Sequence, residues 1–327
     1  MNLRRPFFIG KTQKYLFFRS LIRTFDIRLR YSRSEKLKNI WFFAHLFVPL
    51  TFVLGTLVRK NSKIFGFSLT YSYLCSPETM RYFVTFSYNG GRYHGWQIQP
   101  NGNSVQAELQ RALSTLLRQE ISVTGAGRTD AGVHARMMVA HFDTDASFEM
   151  ENGINCDQLA YKLNRLLPWD IAVQKVEPVS DDLHARFSAK TRMYRYYIHT
   201  AKDPFLKPYS CELHYPLDFQ KMNEAARLLL DFEDFGAFCK AGADVKTTLC
   251  DVTKAEWVQT SETTWYFEIR ANRFLRNMVR AVVGTLIEVG RGRLSLDEFV
   301  KVIEGKKRTE AGESMPGHAL YLEEVGY

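Results

Sequence analysis

The chain has 327 residues, 46% of them hydrophobic and 24% charged, which suits a globular protein with a sizeable core. Its net charge of +9 does not mark the main domain as basic: residues 1–79 hold 14 Lys and Arg against three acids, whereas residues 80–327 hold 30 against 32. Any anion-binding surface in the larger part must therefore come from local clustering and not from bulk charge.

The five cysteines, Cys75, Cys156, Cys211, Cys239 and Cys250, contain no C-x-x-C pair. An odd count without disulfide or metal-site spacing suggests free thiols in a reducing compartment, most simply small buried apolar residues. Residues 1–79 are rich in Phe, Leu, Arg and Lys without a clear amphipathic period. Within them, residues 40–58 lack any Asp, Glu, Lys or Arg and are just long enough to span a bilayer, although Pro49 and Gly55 interrupt them. Three readings fit this segment: a start placed too far upstream with Met80 the true initiator, a membrane anchor, or a poorly ordered extension.

From residue 80 the pattern becomes orderly. Arg81 to Tyr88 alternates as a strand ended by Asn89-Gly90-Gly91, and Ser104 to Gln119 spaces Val105, Leu109, Leu113, Leu116 and Leu117 as one helical face. Short strands at Ile121 to Thr124 and Met137 to Phe142 flank a loop, followed by a helix over Asp157 to Leu167 and a strand at Ile171 to Val176. Further on, strands are predicted at Met193 to Thr200, Val252 to Val258, Thr264 to Ala271 and Leu320 to Val325. Helices are predicted at Asp218 to Leu230 and Phe274 to Val289, and Ser295 with Glu298 forms a capping box for a last helix. Strands and helices without strict alternation indicate an α+β fold. A weak likeness between two α/β halves divides the chain near residues 178–190, giving segments 1–79, 80–180 and 181–327.

The loop between the predicted strands, G-A-G-R-T-D-A-G-V-H-A (Gly125 to Ala135), sets one carboxylate, Asp130, among small residues. Gly125, Gly127 and Gly132 allow close approach of backbone to a ligand. Arg128 can pair with Asp130 and hold it ionised. Far along the chain, Arg273, Arg276, Asn277 and Arg280 fall at helical spacing on a segment otherwise apolar, so their stripe should face an anion.

The loop, together with Y-N-G-G-R-Y-H-G-W-Q (Tyr88 to Gln97), H-A-R-F-S-A-K-T-R-M-Y-R-Y (His184 to Tyr196), F-L-R-N-M-V-R-A-V-V-G (Phe274 to Gly284) and A-L-Y-L (Ala319 to Leu322), resembles the TruA family of tRNA pseudouridine synthases. The resemblance covers residues 80–327 and none of 1–79; Ala319 stands where the family often has glycine. It implies mixed or antiparallel sheets in the two halves, forming a central RNA-binding cleft. It also implies isomerisation of uridine to pseudouridine at positions 38, 39 and 40 of the tRNA anticodon arm.

By the same resemblance Asp130 is the catalytic nucleophile and Arg280 its ion-pair partner. Tyr194, Arg128, His134 and Leu320 are implied to contact substrate. Arg92, Arg186, Lys190, Arg192, Arg273 and Arg276 are candidates for the RNA backbone. No cofactor or metal is implied, and the sequence has neither G-x-G-x-x-G opening a helix nor H-E-x-x-H. The implied partner is tRNA, the implied assembly a homodimer in the cytoplasm, with no stable protein partner and membrane contact only if residues 40–58 are an anchor. A catalytically silent RNA-binding module is the rival reading, and a shielded acid with arginines at hand argues against it. A hydrolytic glycosidase would ordinarily need a second carboxylate, which none of the motifs supplies.

Overall fold

A computed structural model of the chain describes residues 53–60, 63–70, 79–100, 102–145, 154–243 and 245–327. The chain divides into two compact units, residues 1–78 and 79–327. In the first, β1 (Val53–Lys60) pairs antiparallel with β2 (Lys63–Thr70), from Val53 opposite Thr70 to Lys60 opposite Lys63. This corrects the end of the candidate membrane span: residues 53–58 belong to a strand, and residues 40–52 lie outside the described residues. Among the described residues no helix is long and apolar enough to cross a membrane.

The second unit begins with β3 (Thr79–Tyr88), whose alternation buries Tyr82, Val84, Phe86 and Tyr88 on one face, with Phe83 buried on the other. α1 (Val105–Leu117) follows, capped by the Ser104 hydroxyl accepting from the Ala107 N–H, and buries Val105, Leu109, Ala112, Leu113 and Leu117. β4 (Thr124–Gly125) is shorter than predicted, because residues 121–123 do not pair, whereas β5 (His134–Asp145) is longer. α2 (Cys156–Leu166), capped by Asn155, stops before Pro168 and leads into β6 (Ile171–Val179). Asn164 ties helix to strand, donating to the Val173 carbonyl and accepting from its N–H, both at 2.7 Å.

The remainder contributes β7 (Thr191–His199), β8 (Cys211–Glu212), α3 (Phe219–Leu228), β9 (Val252–Gln259), β10 (Thr264–Ala271), α4 (Met278–Gly290), α5 (Leu296–Gly305) and β11 (Leu320–Gly326). The capping box at Ser295 and Glu298 is formed. In place of a sheet for each half, one mixed sheet runs β6-β3-β5-β11-β7-β10-β9, with β4 on β5 and β8 on β7. Its two sides meet where β11 lies parallel to β5, Tyr321 opposite His134 and Leu322 opposite Ala135.

Register decides what each face carries. Tyr196 sits beside Phe267 and Tyr194 beside Ile269, all buried, while Arg195 sits beside Glu268 and Tyr197 beside Tyr266. The second set forms a charged and aromatic ladder: Arg195 bonds Glu268 at 2.7 Å, Lys254 bonds the other Glu268 oxygen at 2.8 Å, and Tyr197 donates to Glu323 at 2.9 Å. The apolar residues of both sides of the sheet belong to one continuous core.

Candidate active site

The loop bearing Asp130 leaves the sheet after β4 and returns at β5, pinned along its whole length. The Ala126 N–H donates to the Val139 carbonyl at 2.8 Å and the Trp96 N–H to the Thr129 carbonyl at 3.2 Å. The Val133 N–H closes a turn onto the Asp130 carbonyl at 3.2 Å. The Thr129 hydroxyl meets the buried Tyr88 hydroxyl at 2.9 Å. With the main chain held on both sides, the Asp130 side chain is the part left to project.

The three loop glycines have three different reasons. Gly132 has φ +77, a left-handed conformation costly for other residues, and Gly125 makes room for Trp96, whose ring a Cβ would approach to 2.6 Å. Only Gly127 borders open space, with nothing within 4 Å of an added Cβ. The expectation that all three clear room for a ligand is corrected to that one.

Arg280 lies in the first turn of α4, and its Nη1 donates to Asp130 Oδ2 at 3.1 Å. Its Nε donates to the Met315 carbonyl at 2.5 Å, while the Met315 N–H returns a bond to the Arg280 carbonyl at 3.1 Å. The guanidinium is thus aimed from two sides. Among the described residues the other Asp130 oxygen, Oδ1, has only Arg276 Nε, at 4.0 Å. Side-chain exposures of 28% for Asp130 and 22% for Arg280 describe a partly shielded pair open at one edge.

The helical stripe of Arg273, Arg276, Asn277 and Arg280 needs correction, because α4 starts at Met278 and not Phe274. Asn277 takes φ +68 at its start and donates to the Ser314 hydroxyl at 2.6 Å. That residue also receives Arg308 at 2.7 Å, so residues 308–315 strap the beginning of the helix. The strap crosses α4 at Gly284, where an added Cβ would lie 1.9 Å from the Glu313 carbonyl. Arg273 and Arg276 precede the helix; Arg276 still reaches Asp130, while Arg273 is half-buried beside Cys239, Cys250 and Arg192.

Tyr194 is buried, with Phe274 meeting its ring edge-on at 5.0 Å. Burial pushes its hydroxyl up to about 12; Arg192 opposes the rise and the Asp130 charge adds to it. It therefore stays protonated at neutral pH. Tyr196, by contrast, donates to the Pro316 carbonyl at 3.0 Å and is a core residue. Leu320, also buried, opens β11 directly after the turn Gly317–Ala319, and this turn packs on the Asp130 loop. A Cβ on Gly317 would come within 2.5 Å of the Ala131 carbonyl.

His134 is held inside the scaffold. Its Nδ1 accepts from the Gly90 N–H at 3.1 Å, its Nε2 donates to the His318 carbonyl at 2.9 Å, and Tyr321 stacks on the ring at 4.5 Å. Burial lowers its pKa, which keeps this neutral tautomer. Both nitrogens being engaged, the ring offers substrate no free polar atom. Arg192 is likewise occupied, donating to the carbonyls of Ala189 and Asn272 at 2.8 Å, Ala126 at 3.1 Å and Arg186 at 2.6 Å. Arg92 pairs with buried Asp170 at 2.7 Å and lies over Trp169. Arg128, Arg186 and Lys190 are exposed, and none of the three forms an ion pair among the described residues.

A depression of about 400 Å³ is lined by Tyr88, His134, Arg136, Trp169, Asp170 and Tyr209 among others. Neither Asp130 nor Arg280 borders it, so it is separate from the carboxylate site. Residues that sequence reasoning passed over include Met315, whose carbonyl aims Arg280, and Phe274 as the edge partner of Tyr194. No local pattern marks them, since each contact joins distant segments.

Comparison with known proteins gives a consistent result. A family profile described as tRNA pseudouridine synthase matches residues 84–188 and 225–327. A tRNA pseudouridine synthase A from Bacteroides fragilis is 57% identical over 250 residues, covering 76% of this chain and 97% of that protein. The Bacteroides thetaiotaomicron protein of the same description is 55% identical, covering 76% and 90%. The one from Bacillus subtilis is 41% identical, covering 76% and 99%. A solved structure of an unknown protein from Galdieria sulphuraria overlays with a TM-score of only 0.21 at 14% identity, covering 66% of this chain and 94% of that one.

Proposed function

Because this chain belongs to the TruA family of tRNA pseudouridine synthases, we propose that it isomerises uridines 38, 39 and 40 in the anticodon arm of tRNA with Asp130 as the catalytic carboxylate. The reaction breaks the bond from ribose C1′ to uracil N1 and makes one from C1′ to C5. The C5 proton leaves and N1 is protonated, so no redox partner is required. A positioned carboxylate facing an electron-poor carbon is the group such glycosyl chemistry asks for. The observation that carries the reading is the Asp130–Arg280 pair, made at 3.1 Å by residues 150 apart in sequence.

Arg280 holds Oδ2, which leaves Oδ1 as the reactive oxygen. A base in a stacked loop must be turned out to reach it. Tyr194 supplies an aromatic wall for that base, Leu320 lies at the adjoining strand start, and the open space at Gly127 gives clearance. Exposed Arg128, Arg186, Lys190 and Arg276, with Arg273 nearby, serve the phosphates, so affinity falls as salt rises. The enzyme acts as a homodimer in the cytoplasm, two clefts sharing one RNA; sedimentation of the pure protein with and without tRNA tests that assembly.

The catalytic test uses the full chain, unmodified tRNA and site-resolved mapping of pseudouridine. Product is expected at positions 38 to 40 from the unaltered enzyme and none from Asp130→Ala. Product formed by the alanine variant would overturn the assignment.

A further inference from the structure

The connection between β6 and β7 holds an aromatic ring where apolar side chains seldom stand. Phe187 is 78% exposed, yet it is not loose. Its main-chain N–H donates to His184 Nδ1 at 3.2 Å, alongside that of Arg186 at 3.0 Å. Its ring rests on the His184 ring with centroids 4.4 Å apart. His184 in turn meets buried His141 edge-on at 4.6 Å, and His141 Nδ1 accepts from the Ala185 N–H at 3.2 Å. A column of two imidazoles thus props the phenyl ring outward. Burial lowers the pKa of both histidines, so the column is uncharged at neutral pH.

The column is also tied to the catalytic loop. Arg192 grips the carbonyls of Arg186 and Ala189 and, with the same guanidinium, that of Ala126 ahead of Asp130. The Arg186 guanidinium stands 5.9 Å from the Phe187 ring centroid, and Lys190 is exposed on the same connection. A rigid, exposed ring in a cationic setting, fixed to the reacting carboxylate's loop, suits a polyanion carrying flat apolar faces. Resting on the reading that RNA enters at Asp130, we propose that Phe187 is a stacking platform for an unpaired nucleobase flanking the target uridine, with Arg186 extending the platform and meeting the backbone.

The test uses the full chain and an unmodified anticodon stem-loop RNA. Stacking of one base on an aromatic side chain predicts that Phe187→Ala raises KM and the equilibrium Kd about tenfold, with kcat changed less than about twofold. Phe187→Trp should restore both, and because the side chain is exposed neither change should disturb folding. An RNA made abasic at the stacked position should bind the alanine and unaltered chains equally, which also identifies the nucleotide. Affinity unchanged in Phe187→Ala, a loss not rescued by Phe187→Trp, or a loss accompanied by altered oligomeric state would each overturn the proposal, the last assigning the ring to a second copy of the chain. Since affinity is read without turnover, failure of the platform is distinguishable from failure of the catalytic assignment, which Asp130→Ala reads alone.

Discussion

Two aspartates in the same half of the protein each face an arginine, and they are built for opposite ends. Asp170 accepts from Arg92 at 2.7 Å and from the Tyr93 hydroxyl at 2.8 Å, with its side chain 1% exposed. Burial works to raise its pKa, but these bonds outweigh burial and hold it below the ordinary carboxylate value. Both oxygens are saturated, and the group serves to fasten residues 92–93 to the start of β6. Asp130 has one oxygen held at 3.1 Å and the other 4.0 Å from its nearest cation. An ion pair alone therefore does not distinguish the two acids; the Asp130 oxygen with no partner closer than 4.0 Å among the described residues does.

That contrast can be broken most directly by removing each charge. Asp130→Asn is expected to leave the fold intact while turnover falls by about 10⁴-fold or more, the scale seen when a covalent catalyst is deleted. Similar turnover per folded molecule in the Asp130 and Asp170 variants would erase the distinction. Next in size, Arg280→Lys should lower turnover about 100-fold, because one ammonium cannot hold both the Met315 carbonyl and Asp130 in the present geometry. Gel-shift affinity for tRNA should stay near that of the unaltered chain, and a parallel loss of binding would make Arg280 an RNA contact instead.

Asp170→Asn should do the reverse, keeping kcat while costing about 2 kcal/mol of stability through weakened charge-assisted bonds. Urea unfolding measures this, and an unshifted midpoint would remove Asp170 from its anchoring role. The last effect concerns pH. His141 is held neutral by burial, its pKa lowered to about 4, with the Arg81 and His184 charges acting the same way. Its folded value lies below its unfolded one, so the stability it contributes is complete above about pH 6.5 and is lost as pH falls towards 4. His134 and His184 shift in the same direction. Urea midpoints between pH 7.5 and 4.5 should therefore decline, and His141→Gln should flatten part of that slope.

How much of this was legible in the sequence depends on how far each cause reaches along the chain. The Ser104 cap, the Ser295 capping box and the strand alternation in β3, β7 and β10 rest on neighbouring residues and are visible there. The start of α4 is not. Phe274 to Asn277 keep apolar helical spacing, but Ser314 and the Lys240 N–H bonded to the Arg276 carbonyl hold that stretch outside the helix. The loop residues by themselves left Arg128 as well as Arg280 able to pair with Asp130, and only the resemblance chose between them. Arg192 read as a phosphate contact because its targets are main-chain carbonyls, which no side-chain pattern reveals.

The parallel seam of β5 and β11 has a consequence for how the protein is made. Residues 320–326 are among the last of the matched segment to be synthesised, yet they lie between β5 and β7 in the middle of the sheet. While a ribosome is still producing the chain, Asp130 and Tyr194 can both be present in nascent polypeptide with no strand to join their halves. The proposed site at Asp130 and Tyr194 is therefore expected to close only once β11 has joined the sheet, so chains ending before Leu320 should show no pseudouridine formation.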